Sequence, residues 1–104
     1  MPLRRLEYLP AAEGDLNDLF RYTAINWGFE QAFRYSDDLI DAISLLAEFP
    51  LRGRDRSDLA PKLRSLVVAQ HIVLYRVFED MVQIRRVLHE REDISEPLLE
   101  ADEL

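Results

Sequence analysis

PAAEGDLNDLFRYTAINWGFEQAFRYSDDLIDAISLLAEFP, residues 10–50, is the stretch that decides the fold. Ala12, Leu16, Leu19, Phe20, Thr23 and Trp27 recur at the three- and four-residue spacing of one helix face. Pro10 stands where a first helical turn tolerates proline, and Glu13 and Asp15 complement the positive end of the helix dipole. Gly28 ends the run as a left-handed C-cap residue would. A second face follows at once through Phe29, Ala32, Phe33, Ser36, Leu39, Ile40, Ile43, Leu46 and Ala47, until Pro50 stops it. Its outward positions carry Glu30, Gln31, Arg34, Asp37, Asp38, Asp41 and Glu48. Two amphipathic helices joined by so short a link predict an antiparallel hairpin. At helical spacing, Trp27, Phe29, Phe33 and Tyr35, together with Tyr8, are expected in the core rather than on a base-stacking surface.

Outside the hairpin the period changes. Residues 3–9 alternate loosely and read as a short first strand. Residues 50–61 form a polar loop bracketed by prolines. Leu63–Ala69, His71–Phe78 and Met81–Leu88 then read as three strands rich in Val, Ile, Leu and Tyr. A two-residue turn at Glu79-Asp80 would set Phe78 against Met81, Tyr75 against Ile84 and His71 against Leu88. One sheet face would then hold His71, Val73, Tyr75, Val77, Val82, Ile84, Arg86 and Leu88. Neither face is cleanly polar, which fits either a partner on one side or packing on both. The fold class is therefore α+β: a short N-terminal strand, an antiparallel helix hairpin, then a three-stranded antiparallel meander. Residues 1–94 make a single domain and 95–104 an acidic C-terminal tail, expected to be partly helical from Ser95.

Charge and composition narrow the function. The net charge is −7, and seven acids against Arg91 lie between Glu90 and Leu104, so the body carries thirteen acids and twelve bases. A body without net positive charge argues against tight, sequence-independent nucleic-acid binding. There is no cysteine, which excludes disulfides and thiolate metal sites. No apolar run spans a bilayer and the first residues lack a signal-peptide core, so a cytoplasmic location is expected. Three scattered glycines make no phosphate loop, so no nucleotide cofactor is expected. His71 and His89, the only histidines, could meet across the hairpin with Glu90 as a third ligand, but hydrogen-bonded structural roles are the expectation, and with them no metal. Asp37, Asp38 and Asp41 read as a solvated helix face. Arg52, Arg54, Arg56, Arg64, Arg76, Arg85 and Arg86 could track phosphates or, equally, grip an acidic protein segment.

Several strings in order carry a resemblance. They are Asp15-Leu16 with Tyr22; Trp27-Gly28 before Ala32 and Tyr35; Leu46-Ala47 before Pro50; and Gly53-Arg54. Leu63-Arg64-Ser65-Leu66, His71-Ile72-Val73-Leu74-Tyr75-Arg76, and Ile84-Arg85-Arg86-Val87-Leu88-His89 with Arg91 and Asp93 follow. Over residues 3 to about 94 the chain resembles the RelE/ParE superfamily of bacterial toxins, in its ParE branch. The resemblance implies the toxin of a type II toxin–antitoxin module, wrapped by a ParD-like antitoxin in a hetero-oligomer and acting on DNA gyrase without covalent catalysis. The RelE branch cuts messenger RNA on the ribosome with basic, Arg and Tyr side chains. Aligned on Tyr75, those positions hold Leu63, Ser65, Ile72, Glu92 and Leu98 here, so the acid–base and phosphate-stabilising groups are missing. A ribosome-dependent endoribonuclease is thus the second reading, and a non-toxic adaptor or degenerate toxin domain the third. For the antitoxin, an apolar groove between hairpin and sheet is expected, with Leu16, Leu19 and Phe20 on its wall and Arg64, Arg76 and Arg86 meeting carboxylates.

Overall fold

A computed structural model describes residues 3–92. Strand β1 (Arg5–Tyr8) leads through Leu9 into helix α1 (Pro10–Trp27) and, after Gly28, helix α2 (Phe29–Ser44). A 3-10 turn at Leu45–Ala47 and another at Pro50–Arg52 precede β2 (Arg54–Asp55), β3 (Leu63–Val68), β4 (His71–Val77) and β5 (Met81–His89). The expected α+β hairpin-and-strands architecture is present. The helix expected from Ser95 lies outside the described residues.

The sheet is larger than a meander. Its order is β1-β5-β4-β3-β2, with β1 parallel to β5 and the remaining pairs antiparallel. The first strand therefore closes the sheet beside the last, which strand patterning alone does not reveal. The polar loop also supplies a two-residue strand, with Arg54 and Asp55 opposite Ser65 and Arg64.

The β4–β5 hairpin starts as expected. The Phe78 amide donates to the Met81 carbonyl at 2.8 Å, and Tyr75 faces Ile84. Between Leu74 and Tyr75 the register shifts, because Arg86 rather than Arg85 stands opposite Leu74. The extra residue reverses the alternation beyond it. His71 consequently faces His89, not Leu88, and Val87 rather than Leu88 joins the helix side.

The core lies between hairpin and sheet. Ala12, Leu39, Ile43, Leu46, Val73, Tyr75, Val82 and Ile84 are wholly buried there, with Leu6, Leu16, Leu19, Leu66 and Val68 packed around them. Each large side chain so buried contributes about 1.5–3 kcal/mol. On the opposite sheet face Leu63, Leu74 and Leu88 form a second cluster, roofed by Leu59, Ala60 and Ile72. Both faces are therefore apolar because both are packed.

Gly28 does permit the hairpin, but not as a left-handed helical residue. Its φ is +94° with ψ 165°, an extended conformation open essentially to glycine. The aromatic expectation fails at this end. Trp27, Phe29 and Phe33 are 63%, 70% and 58% exposed and Tyr35 only half-buried, whereas Tyr8, on β1, packs against the main core as expected. At 1.5 Å per residue α1 runs about 27 Å, and Trp27 in its last turn borders an open cleft rather than the core.

Candidate functional site

The three arginines expected to meet a partner do not converge. Arg86 reaches Asp15 on α1 with two bonds, Nε to Oδ2 at 2.8 Å and a terminal nitrogen to Oδ1 at 2.9 Å. The same carboxylate accepts the Val87 amide at 2.9 Å. β1 ends at Tyr8, opposite Ile84, so the edge of β5 is uncovered beyond that point and Asp15 takes over the missing neighbour's role. Both side chains are 15% exposed, which makes this ion pair largely desolvated.

Arg64 lies on the Tyr75 side of the sheet and donates to two loop carbonyls. Its terminal nitrogen reaches Gly53 at 2.6 Å and Leu51 at 3.2 Å. Tyr75, at the centre of the sheet, completes the anchor. Its buried hydroxyl accepts from the Gly53 amide at 2.9 Å and donates to the Pro50 carbonyl at 2.8 Å. Burial pushes this phenol's pKa up, outweighing the opposing effects of the Gly53 and Arg64 contacts, so it remains a proton donor. A Cβ on Gly53 would collide with the Tyr75 hydroxyl and the Ser65 carbonyl, so only glycine lets the loop approach this closely. Arg76 shares the opposite sheet face with Leu74, and stands across from Leu63.

This anchor holds the loop rigidly while its apolar residues stay outside. Phe49 and Leu51 are 53% and 68% exposed and, with Pro50 and Val77, floor a groove of about 700 Å³. Arg4 and Arg52 stand on its rim, with Glu48 among them. Sequence reading treated residues 50–61 as a polar connection and missed this groove. The available signal was Phe49 and Leu51 flanking a proline in an otherwise charged segment.

The apolar expectations divide. Leu16 and Leu19 pack into the main core, so the space between hairpin and sheet is filled by the protein itself. Phe20 is half-buried, its ring 5.0 Å from that of Phe33 and 6.5 Å from that of Phe29. These three rings give the hairpin an aromatic outer flank.

The histidines meet, as the strand reading allowed. Their rings lie 5.3 Å apart, edge to face. His71 Nδ1 is 2.6 Å from the Tyr35 hydroxyl, and His89 Nδ1 accepts the Arg91 amide at 3.1 Å, which leaves the His89 proton on Nε2. Burial, then the neighbouring His89, lowers the His71 pKa, and Glu92 and Glu90 oppose the shift. The cluster lines a cleft of about 570 Å³ with Tyr22, Trp27 and Arg91. Among the described residues no three His, Asp or Glu side chains come close enough to hold a metal ion. Asp37, Asp38 and Asp41 lie exposed on α2, and no described helix is long and apolar enough to cross a membrane.

The positions that match catalytic groups of the RNA-cutting branch are equally plain. Leu63 is fully buried, Ser65 buried, Ile72 half-buried and Glu92 exposed, and Leu98 lies outside the described residues.

Residues 6–94 match the profile of a family described as the ParE toxin of the type II toxin–antitoxin system parDE. Toxin ParE1 of Mycobacterium tuberculosis is 36% identical over 90 residues, covering 86% of this chain and 92% of that protein. Toxin ParE1 of Caulobacter vibrioides is 38% identical over 79 residues, covering 76% and 81% respectively. A structure of the chromosomal ParDE toxin–antitoxin system from P. aeruginosa superposes with a TM-score of 0.74 at 21% identity, covering 84% of this chain and 96% of that one. One of the toxin–antitoxin complex RelBE2 from M. tuberculosis superposes with a TM-score of 0.62 at 24% identity, covering 86% and 99%. At these identities the two structures establish a shared fold.

Proposed function

The chain belongs to the ParE toxin family of type II toxin–antitoxin systems, and on that premise we propose that it is neutralised by a ParD-like antitoxin and poisons DNA gyrase without covalent chemistry. The observation that carries the non-catalytic reading is the sheet itself. Where an RNA-cutting relative needs cationic and acid–base side chains, this sheet carries a fully buried Leu63, a buried Ser65 and a half-buried Ile72. Neither Leu nor Ile can move a proton or stabilise a phosphorane. The toxin would act by occupying a surface of its target.

The antitoxin would be held on the outer flank of the hairpin. Phe20, with Phe29 and Phe33, offers aromatic surface that the fold leaves uncovered, while Leu16 and Leu19 on the same helix pack against the main core. Arg64, Arg76 and Arg86 are the proposed contacts for its carboxylates; at Arg86 a partner carboxylate would compete with Asp15. Unchanged antitoxin affinity after single alanine substitutions at all three arginines would remove them from the interface.

The decisive experiment is gyrase supercoiling of relaxed plasmid with the purified chain freed of antitoxin. Inhibition or trapped cleavage complexes are expected. No effect from folded protein, or ribosome-dependent cleavage of messenger RNA, would overturn the proposal.

A further inference from the structure

Helices α1 and α2 carry seven acids (Glu13, Asp15, Asp18, Glu30, Asp37, Asp38, Asp41) against Arg21 and Arg34. A hairpin with that excess of negative charge attracts cations. Beside its tip lies the cleft that holds the histidine pair, and its volume of about 570 Å³ falls in the range of small-ligand sites.

Four different elements supply aromatic rings to this cleft. From α1 come Tyr22 and Trp27, both more than half exposed, with centroids 5.9 Å apart and planes tilted by 58°. From α2, β4 and β5 come Tyr35, His71 and His89; the first two rings lie 5.5 Å apart and the last two 5.3 Å. Near neutral pH both imidazoles are uncharged rings rather than repelling cations. His89 accepts an amide proton at Nδ1, and burial holds the His71 pKa down.

Carboxylates edge these rings. Glu90 lines the cleft itself, and an adjoining recess of about 470 Å³, which shares Tyr22, His71 and His89 with it, adds Asp18 and Glu92. The Oε1 atom of Glu92 accepts the His89 amide at 3.0 Å, which fixes that carboxylate beside the rings. Asp18 stands 4.0 Å from Arg21, in a pair too exposed to neutralise it. Asp15 and Arg86 cancel in their ion pair, which leaves Asp18, Glu90 and Glu92 against Arg91 among the lining residues.

Ring faces are electronegative, so rings and carboxylates together favour a cation that can stack. A guanidinium suits this better than an ammonium, because it is planar, weakly hydrated, and can fork its N–H groups to a carboxylate while its face lies on a ring. Free arginine would bring its own carboxylate to a surface rich in carboxylates; an arginine within a chain does not. We propose that this cleft is a guanidinium-binding site, and that its occupant is an arginine side chain presented by a protein partner. Its plane rests on the Tyr22 and Trp27 rings and its N–H groups turn towards Glu90 and Glu92. The cleft includes none of Phe20, Phe29 and Phe33, so the site stands whether or not the antitoxin sits on that flank.

Trp27 is the chain's single tryptophan, so its fluorescence reports on the cleft directly. Purified chain titrated with N-acetyl-arginine amide should give a saturable change in the millimolar range. N-acetyl-citrulline amide, close in shape but uncharged, should give none. Glu92→Gln keeps an oxygen for the His89 amide while removing the charge, and Asp18→Asn removes a charge from an exposed position. Each should weaken binding of the capped arginine by about threefold, the worth of one exposed ion pair. Tyr22→Leu removes a stacking ring and leaves every carboxylate in place, and should weaken it by about as much. Equal responses to the arginine and citrulline compounds, a change that rises without saturating, or unaltered affinity in all three variants overturns the proposal. So does tighter binding of free arginine than of the capped residue, since the site would then serve an amino acid rather than a protein segment.

Discussion

The two ends of the helix hairpin have the same kind of sequence and opposite fates. At the base, where α1 begins and α2 ends, Ala12, Leu39, Ile43 and Leu46 are wholly buried. At the tip, on either side of Gly28, Trp27, Phe29 and Phe33 stand more than half exposed. Apolar residues recur at helical spacing throughout. Periodicity identifies the side of a helix that turns towards a neighbour, but the neighbour's length decides how far it is covered. Here β1 and β5 support the base, while at the tip Trp27 borders only the open cleft beside His71 and His89. The base is a folding element and the tip is a surface.

The sharpest way to break that comparison is a large truncation at the base. Leu39→Ala deletes a wholly buried side chain of the main core, in one cluster with Ile43, Val73 and Tyr75, and should lower stability by about 2–5 kcal/mol. The urea midpoint, with an unchanged slope, measures it. A loss below about 1 kcal/mol would mean that the base is no better packed than the tip.

The link itself comes next. Gly28→Ala meets no atom within 4 Å, so any cost arises from backbone conformation alone. At φ +94° a side chain is strained, and the substitution should cost about 1–3 kcal/mol in the same urea titration. An effect near zero would show that the turn relaxes freely, and that the tip is loosely joined.

How much of this was legible in the chain follows the same division. The hairpin, Gly28 as its turn and the three long strands were readable because each rests on local chemistry, whereas α2 ends at Ser44, short of the Pro50 expected to stop it. The pairing of β1 with β5 joins residues some seventy-five positions apart, and no local pattern encodes it. The register shift at Arg85 was hidden for a related reason. Val87 and Leu88 are both apolar, so either fits the core, and the choice is made by Asp15 capping the Val87 amide from another element. The same blindness affected the site. Arg64 and Arg86 looked like free cations because the carbonyls of Leu51 and Gly53, and the Asp15 carboxylate, are invisible as partners in one dimension.

Tyr35 and His71 mark the boundary between base and tip, and pH probes it. The His71 pKa is held below the ordinary 6.5 by burial and by His89, so the unfolded chain takes up its proton first as pH falls. Stability from this group is therefore complete above about pH 6.5 and is lost as pH drops towards the depressed folded value. Urea midpoints should fall between pH 7 and pH 5, and His71→Phe should flatten that part of the profile. A profile unaffected by the substitution would show that this boundary opens to water without cost.

Phe33→Ala should have the smallest effect on folding and one of the more informative effects on function. The ring is 58% exposed, and its main neighbour is Phe20 at 5.0 Å, edge to face. Such a pair is worth about 0.5–1.5 kcal/mol, so the urea midpoint should barely move beside that of Leu39→Ala. If the flank is where the antitoxin sits, the same truncation removes a desolvated aromatic contact, and affinity should fall by about tenfold or more, the cost of 1.4 kcal/mol at an interface. Calorimetric titration with the antitoxin reads that directly. A variant that folds normally and binds normally would leave the tip as exposed apolar surface with no function in this complex, and would move the antitoxin's seat away from the hairpin. A variant that unfolds would break the comparison from the other side, because the tip would then be part of the core.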